Sequence, residues 1–441
     1  MKLLRCFVVF LVVLFAASFV CPAFAEPDKP TEPAPPPSLS ARAVYLVEAQ
    51  TDVVLYQSNA ETKMYPASLT KIMTALLLVE SIPNFDQVIE VDPAALDGLS
   101  PSGSTANLVA GEQMSVKALL QCLLISSGND AANAAAMAVS PSVSDFIELM
   151  NQKAAALGCE NTNFVNAHGL HDENHYTTAK DMYIITREFR KHDILNQISA
   201  MSSAILPPTN MRTNEKTILN TNSLISRYRD GEKYIYKYAK GIKTGHTTPA
   251  GYCLVSCAEK DDTTLVAVVM GCKQDSNSTL SFVDSKALYQ WAFENFAVKT
   301  VVSINDLVRE VKVTMGKDAD FVSVAPKTDL LCLLPIGVDI DQVERRITLP
   351  DSIAAPVEKG QVLGTIELVY DGQKYASGEL ISFTAVDRSV FMYFLNQIRG
   401  FFMTPIVLLI SSIVFVVLLF YFMVVRRAAR RRRNKRYYGR R

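Results

Sequence analysis

Cysteine is sparse in this chain and badly placed for chemistry: there are 8 in 441 residues. Two, Cys6 and Cys21, fall in the apolar N-terminal segment, and Cys21 lacks the small, apolar neighbours of a lipoprotein site. Cys122, Cys159, Cys253, Cys257, Cys272 and Cys332 are scattered, without the paired spacing of a metal site. A chain this long buries enough apolar surface to fold without disulfides, so buried free thiols are expected. Cys253 and Cys272, on neighbouring predicted strands, are the pair placed to bridge if any does. Histidine is scarcer still. His168, His171 and His175 crowd one Gly-containing loop, but no carboxylate stands at ligand spacing, so the loop reads as structural. No metal and no cofactor is expected. No internal repeat is present.

Acidic residues are missing from both ends, and there the long apolar runs are found. Lys2 and Arg5 precede an uncharged stretch at 6–20, and Ala23-Phe24-Ala25 supplies a small-x-small cleavage pattern. Residues 1–25 therefore read as a signal peptide, with Glu26 first in the mature chain. An uncleaved anchor helix is the alternative, disfavoured by the cleavage pattern and by the polar, Pro-rich sequence that follows. At the other end, residues 406–425 are apolar except for Ser411 and Ser412. Twenty helical residues span about 30 Å, the thickness of a bilayer core. Residues 426–441 carry ten basic residues and no acidic one. Positive charge stays on the cytoplasmic side, so 26–405 is expected outside a cell membrane, held by a single C-terminal pass. Directly after a span, the Arg cluster points to lipid headgroups rather than nucleic acid. Of the 44 basic residues, ten are in the tail and two leave with the signal, so the exported part keeps 32 against 44 acidic residues, a net of −12. That balance argues against nucleic acid as a partner.

Between these ends the texture changes twice. Residues 26–40, with Pro at 27, 30, 33, 35, 36 and 37, suit an extended linker. Strand patterns at 43–48 and 53–57 flank a turn; helical patterns follow at 68–80, 116–126 and 143–157. Residues 251–258 and 264–271 read as a hairpin of central strands, and 284–296 returns to helical spacing. Tyr234, Tyr236 and Tyr238 alternate as on a strand and are expected to pack rather than to stack on substrate. The fold class is α/β in the α+β sense, an antiparallel sheet flanked by helices with an inserted helical lobe, over 41–299. Residues 300–388 alternate in short strands, with the clearest hairpin turning at Asp371-Gly372, and form a small all-β domain. Residues 389–405 are an amphipathic connector to the transmembrane helix.

The chemistry starts at Ser68-Leu69-Thr70-Lys71. Pro66 precedes an apolar run, so a helix begins near here, and a spacing of three puts Ser68 and Lys71 on one face. A Ser hydroxyl needs a base, and Lys71 serves only as a neutral amine, its pKa lowered by roughly 3 units through burial, a helix start or a neighbouring cation. Alone the motif is weak, because Ser-x-x-Lys occurs by chance about once or twice in a chain of this length. Ser127-Gly128-Asn129 after a helix and Lys243-Thr244-Gly245 at the opening of a strand, in this order and well separated, make the combination specific.

The trio is the signature of penicillin-recognising serine enzymes. Over 41–296 the sequence resembles the low-molecular-weight penicillin-binding proteins that act as D-alanyl-D-alanine carboxypeptidases. The matching stretches are Tyr65 to Thr74, Leu124 to Ala132, His168-Gly169-Leu170 and Thr178-Ala179-Lys180-Asp181. The β domain matches more loosely, at Glu358 to Gly364. The resemblance implies a serine hydrolase that removes the terminal D-alanine from peptidoglycan stem peptides and is acylated by β-lactams. It implies Ser68 as nucleophile, Lys71 as general base and Ser127 as proton relay to the leaving group. Asn129 would hold the acyl side chain, Lys243 would keep Lys71 neutral, and Thr244 would bind the substrate carboxylate beside Gly245. The backbone N–H groups of Ser68 and His246 would form an oxyanion hole, each donor contributing about 3 kcal/mol.

One position departs from the pattern. Such enzymes commonly carry Arg before a Phe at the start of the last helix; here Ser281 precedes Phe282, and another cation such as Lys273 would have to grip the carboxylate. A class A β-lactamase would need a Glu where Asp193-Ile194-Leu195-Asn196 has none. A D,D-endopeptidase on cross-links would need no carboxylate clamp, which Ser281 favours. A catalytically silent wall-binding module is the reading from another class, and the complete catalytic set counts against it.

Overall fold

The computed structural model describes residues 33–101, 103–273 and 279–438. The expected signal peptide and the start of the Pro-rich linker lie outside the described residues. The chain divides into two compact units, one of residues up to 299 together with 331–342, the other of 300–330 together with 343 onward.

The first unit is built on a five-stranded antiparallel sheet, in the order Val53–Ser58, Ala43–Glu48, Thr263–Cys272, Gly251–Lys260, Ala239–Thr247. Both faces are covered, so all six residues of Ala43–Glu48 are buried. Tyr45 and Val47 pack against the helical lobe, while Val44 and Leu46 pack against the Leu280–Asn295 helix. The lobe lies in the chain between the strands Val53–Ser58 and Ala239–Thr247 and contains Lys71–Ser81, Val116–Leu124, Asn129–Val139, Val143–Ala156, Ala179–Phe189 and Asp193–Ser199. Three of these helices, Val116–Leu124, Val143–Ala156 and Ala179–Phe189, begin where a Ser or Thr side chain meets a free N–H group. Ser115 Oγ accepts from Ala118 N at 3.2 Å, and Thr178 Oγ1 from Asp181 N at 3.0 Å.

Several elements differ from their sequence expectation. The 284–296 helix starts earlier, at Leu280, so Ser281 stands in its first turn. Lys243 lies within a strand that begins at Ala239 instead of opening it. Tyr234, Tyr236 and Tyr238 precede that strand in an irregular segment; Tyr236 stacks on Tyr289 with ring centroids 5.9 Å apart. Packing against a helix, not strand pairing, sets their alternation. All six described cysteines are free and buried. Cys253 packs in the core on one face of the sheet and Cys272 in the core on the other, so neighbouring strands do not bring their sulfurs together. Residues 33–40 are extended, as prolines dictate, yet tied down. Trp291 Nε1 donates to Ala34 O at 2.7 Å, and Ser40 N and Oγ donate to Asp284 at 2.9 and 2.8 Å.

The second unit holds a six-stranded sheet. Its longest hairpin, Val362–Tyr370 with Gln373–Ser382, turns at Asp371 and Gly372, both at positive φ (49° and 74°), as a two-residue primed turn requires. Val390–Phe402 follows as a helix capped by Ser389, with Phe391, Phe394, Leu395, Ile398 and Phe401 exposed. The last helix, Pro405–Tyr438, contains the apolar run and continues into the basic tail. Ala and Arg are good helix formers, and no Gly or Pro interrupts the run after Pro405. Its 27-residue stretch Pro405–Arg431 is long and apolar enough to cross a membrane.

Candidate active site

Ser68 sits in a tight 3-10 turn, Ala67–Thr70, that leads directly into the Lys71–Ser81 helix. Ala67 has φ +49°, a left-handed conformation that a non-Gly residue adopts only when its surroundings impose it. Those surroundings are tight. A Cβ on Gly169 would stand 1.8 Å from Ala67 O, and one on Gly245 would stand 2.9 Å from Pro66 O and 3.2 Å from the backbone nitrogens of Ser68 and Leu69. The nucleophile's turn is gripped by a loop on one side and a strand on another, at places where only glycine fits.

Lys71 is fully buried, and its Nζ reaches Ser68 Oγ at 2.9 Å, Asn129 Oδ1 at 2.8 Å and the His168 carbonyl oxygen at 2.7 Å. Burial drives its pKa well below the ordinary lysine value, the charge on Lys243 lowers it further, and Asp130 opposes both. Lys243, 1 % exposed, donates to Thr244 O at 3.0 Å, and burial followed by the charge on Arg229 pulls it down to about 7.

The other groups converge on one cavity of about 660 Å³, lined by Ser68, Ser127, Asn129, Thr244, Gly245 and His246 among others. Of the eight residues singled out in the sequence, six stand on this wall, and the two lysines are buried close behind it. Ser127 occupies the link between the Val116–Leu124 and Asn129–Val139 helices at φ +63°. Thr244 Oγ1 lies 2.6 Å from Thr221 Oγ1. His246 is exposed at the rim against the Tyr252 ring, 4.1 Å between centroids.

Several supporting residues have no role that the motifs assign. Asp130, 2 % exposed, accepts from Thr105 Oγ1 at 2.6 Å, Ala106 N at 2.8 Å and Leu108 N at 3.0 Å. It thereby pins the loop that brings Gly103 and Ser104 to the cavity. The His loop has a structural task. His175 Nδ1 accepts from Val165 N at 3.0 Å, which leaves Nε2–H to donate to Thr70 Oγ1 at 2.8 Å. Burial lowers the His175 pKa to about 4, so this neutral tautomer persists. Its only sequence signal was proximity to Gly169. Thr221, Ser223 and Arg229 also line the cavity, and no motif marked them. Ser281 lines it as well, 2 % exposed, whereas Lys273 is exposed and is not among the described lining residues.

Residues 29–274 match the model of the D-alanyl-D-alanine carboxypeptidase family, peptidase S11. The chain belongs to the D-alanyl-D-alanine carboxypeptidase family. Residues 296–388 match the C-terminal domain of penicillin-binding protein 5. D-alanyl-D-alanine carboxypeptidase DacF of Bacillus subtilis is 33 % identical over 366 residues, 82 % of this chain and 89 % of that one. DacA of Haemophilus influenzae is 33 % identical over 78 % of this chain and 85 % of its own. Among solved structures, penicillin-binding protein 5 from Haemophilus influenzae superposes with a TM-score of 0.67 at 30 % identity, covering 80 % of this chain and all of that one. Like these family members, the protein is a serine D-alanyl-D-alanine carboxypeptidase with the penicillin-binding fold and a C-terminal all-β domain. The expected family, fold class and enzyme class are borne out.

Proposed function

We propose that Ser68 is the acylated nucleophile and Lys71 its general base, on the penultimate D-alanine carbonyl of peptidoglycan stem peptides. The observation that carries this is the company Lys71 keeps. Of its three neighbours, Asn129 Oδ1 and the His168 carbonyl can only accept hydrogen bonds, whereas Ser68 can also donate. A neutral amine has two N–H bonds and one lone pair. With the N–H bonds spent on Asn129 and His168, the lone pair faces the Ser68 proton. Burial supplies the neutral form, and Lys243 reinforces it.

Ser68 Oγ attacks the carbonyl carbon as Lys71 takes its proton, and the backbone N–H groups of Ser68 and His246 hold the developing oxyanion. Ser127 passes a proton to the amine of the departing D-alanine, and water later releases the acyl-enzyme. Thr244, beside Gly245, receives the substrate on the strand edge, and Asn129 holds the acyl side chain. The strained amide of a β-lactam presents the same carbonyl; attack breaks its ring C–N bond, but the amine stays tethered to the acyl group, so the ester on Ser68 persists. The reaction runs outside the cell, within 41–299, and 300–388 form the small β domain. Residues 390–402 lie on lipid and 406–425 cross it, with the basic tail on the lipid headgroups inside. The test is Ser68→Ala: both release of D-alanine from a synthetic pentapeptide and covalent uptake of labelled penicillin should vanish, with the melting temperature retained. Labelling at the wild-type rate would remove Ser68 from this role.

A further inference from the structure

The substrate of the proposed reaction ends in a free carboxylate, and the cavity must hold that end while the bond before it breaks. Few groups on the wall are suited to it. Lys243 is buried, donates to Thr244 O and is drawn toward neutrality. Thr221 and Thr244 offer hydroxyls already 2.6 Å from each other, and Ser281 carries no charge. Arg229 is the only Lys or Arg among the described residues that line the cavity. Its neighbours are engaged elsewhere. Arg227 pairs with Glu232 at 3.5 Å, and Asp230, also on the wall, accepts from Ser223 Oγ at 2.5 Å. Arg229 itself has no ion-pair partner among the described residues.

The segment that carries Arg229 is anchored on both sides of it. Ser226 N donates to Asn222 O at 3.0 Å, Tyr236 N to Leu224 O at 2.9 Å, and Thr279 N to Tyr234 Oη at 2.8 Å. The last contact, with Tyr234 and Phe282 ring centroids 5.1 Å apart, ties the segment to the start of the Leu280–Asn295 helix. That helix N-terminus adds its own positive end to the same region. We propose that Arg229 binds the terminal carboxylate of the substrate and so sets the enzyme's preference for a free chain end. This rests on the carboxypeptidase reading above. A guanidinium suits the task because its fork pairs both carboxylate oxygens.

The experiment uses the full-length enzyme in detergent and two synthetic peptides, one ending in D-alanyl-D-alanine and the other in its terminal amide. The wild type should prefer the acid. Arg229→Gln should lower kcat/KM on the acid by about 10- to 100-fold, mostly through KM, and leave the amide within about threefold, so that the preference collapses. Arg229→Lys should recover part of it. Equal slowing of acid and amide by Arg229→Gln would overturn the proposal, since Arg229 would then act through Lys243 or the loop; so would no change on either. The melting temperature of each variant reports its folding. If the Gln variant does not fold, the Lys variant decides by the same ratio. A wild type that takes up penicillin but cleaves neither peptide would bring down the carboxypeptidase reading and the proposal with it, a result distinct from cleavage without preference.

Discussion

Two lysines are buried at the active-site wall, and what surrounds each decides what it does. Lys71 has two obligate acceptors and one hydroxyl around it; Lys243 has a carbonyl and a nearby guanidinium. Ser-x-x-Lys spacing already placed Ser68 and Lys71 on one face, so their contact was legible from residues alone. The His168 carbonyl was not, because a backbone acceptor from a distant loop leaves no trace in side-chain identity. The sign of the pH effect follows from the geometry. Lys71 works only without its proton, and its pKa lies well below 10.5. Acylation by a labelled penicillin should therefore rise with pH and level off before the ordinary lysine range, where an unshifted base would still be climbing. Protonated Lys243, below about 7, deepens the shift on Lys71 instead of competing with it. Lys71→Arg should cost roughly 10²- to 10⁴-fold in acylation, since a guanidinium does not lose its proton. A profile flat from pH 6 to 10 would rule Lys71 out as the base.

Among the elements, strands covered on both faces were legible as short bounded apolar runs, whereas a helix buried nearly all round was not. The hairpin Gly251–Lys260 with Thr263–Cys272 was visible as two apolar runs bounded by polar turns. The Asn129–Val139 helix was not predicted: NDAANAAAMAV is buried nearly all round, with no polar face to set a period. The helices Ala179–Phe189 and Asp193–Ser199 are likewise not among the sequence expectations, although the matching stretch Thr178 to Asp181 contains the cap that starts the first of them. The strand Ala239–Thr247 shows what its Lys-Thr-Gly is for. Lys243 points into the core behind the site, Thr244 stands on the cavity wall, and Gly245 lets the strand lie against the Ser68 turn. A methyl at 245 would meet Pro66 O at 2.9 Å, backbone that cannot rotate away. Gly245→Ala should displace the strand from Ser68, and an error of about 1 Å in such geometry costs roughly 100-fold in rate. Stopped-flow acylation should show that loss, with the melting temperature falling by only a few degrees. Acylation at the wild-type rate would mean that the strand's close approach is not needed.

At the scale of the whole molecule, the chain is neutral by formal count but its charges are segregated, and that segregation predicts an orientation. The helix Pro405–Tyr438 exposes Ile406, Leu408, Phe415, Leu418, Phe420 and Phe422 along its apolar part, with none of the described residues covering them. An exposed apolar helix of that length is stable only in a solvent as apolar as itself, and about 20 residues match a bilayer core. Arg426 and Arg427 follow at once, and moving such a tail across an energised membrane opposes both its hydration and the membrane potential. The catalytic unit, with its acidic excess, is then left on the outer face. An epitope placed after Arg441 should resist protease in intact protoplasts and be cut once they are lysed. In the same intact cells, a membrane-impermeant labelled β-lactam should reach Ser68. Digestion of the epitope before lysis, or labelling of Ser68 only after it, would reverse the orientation and leave the active site on the side where no peptidoglycan is found.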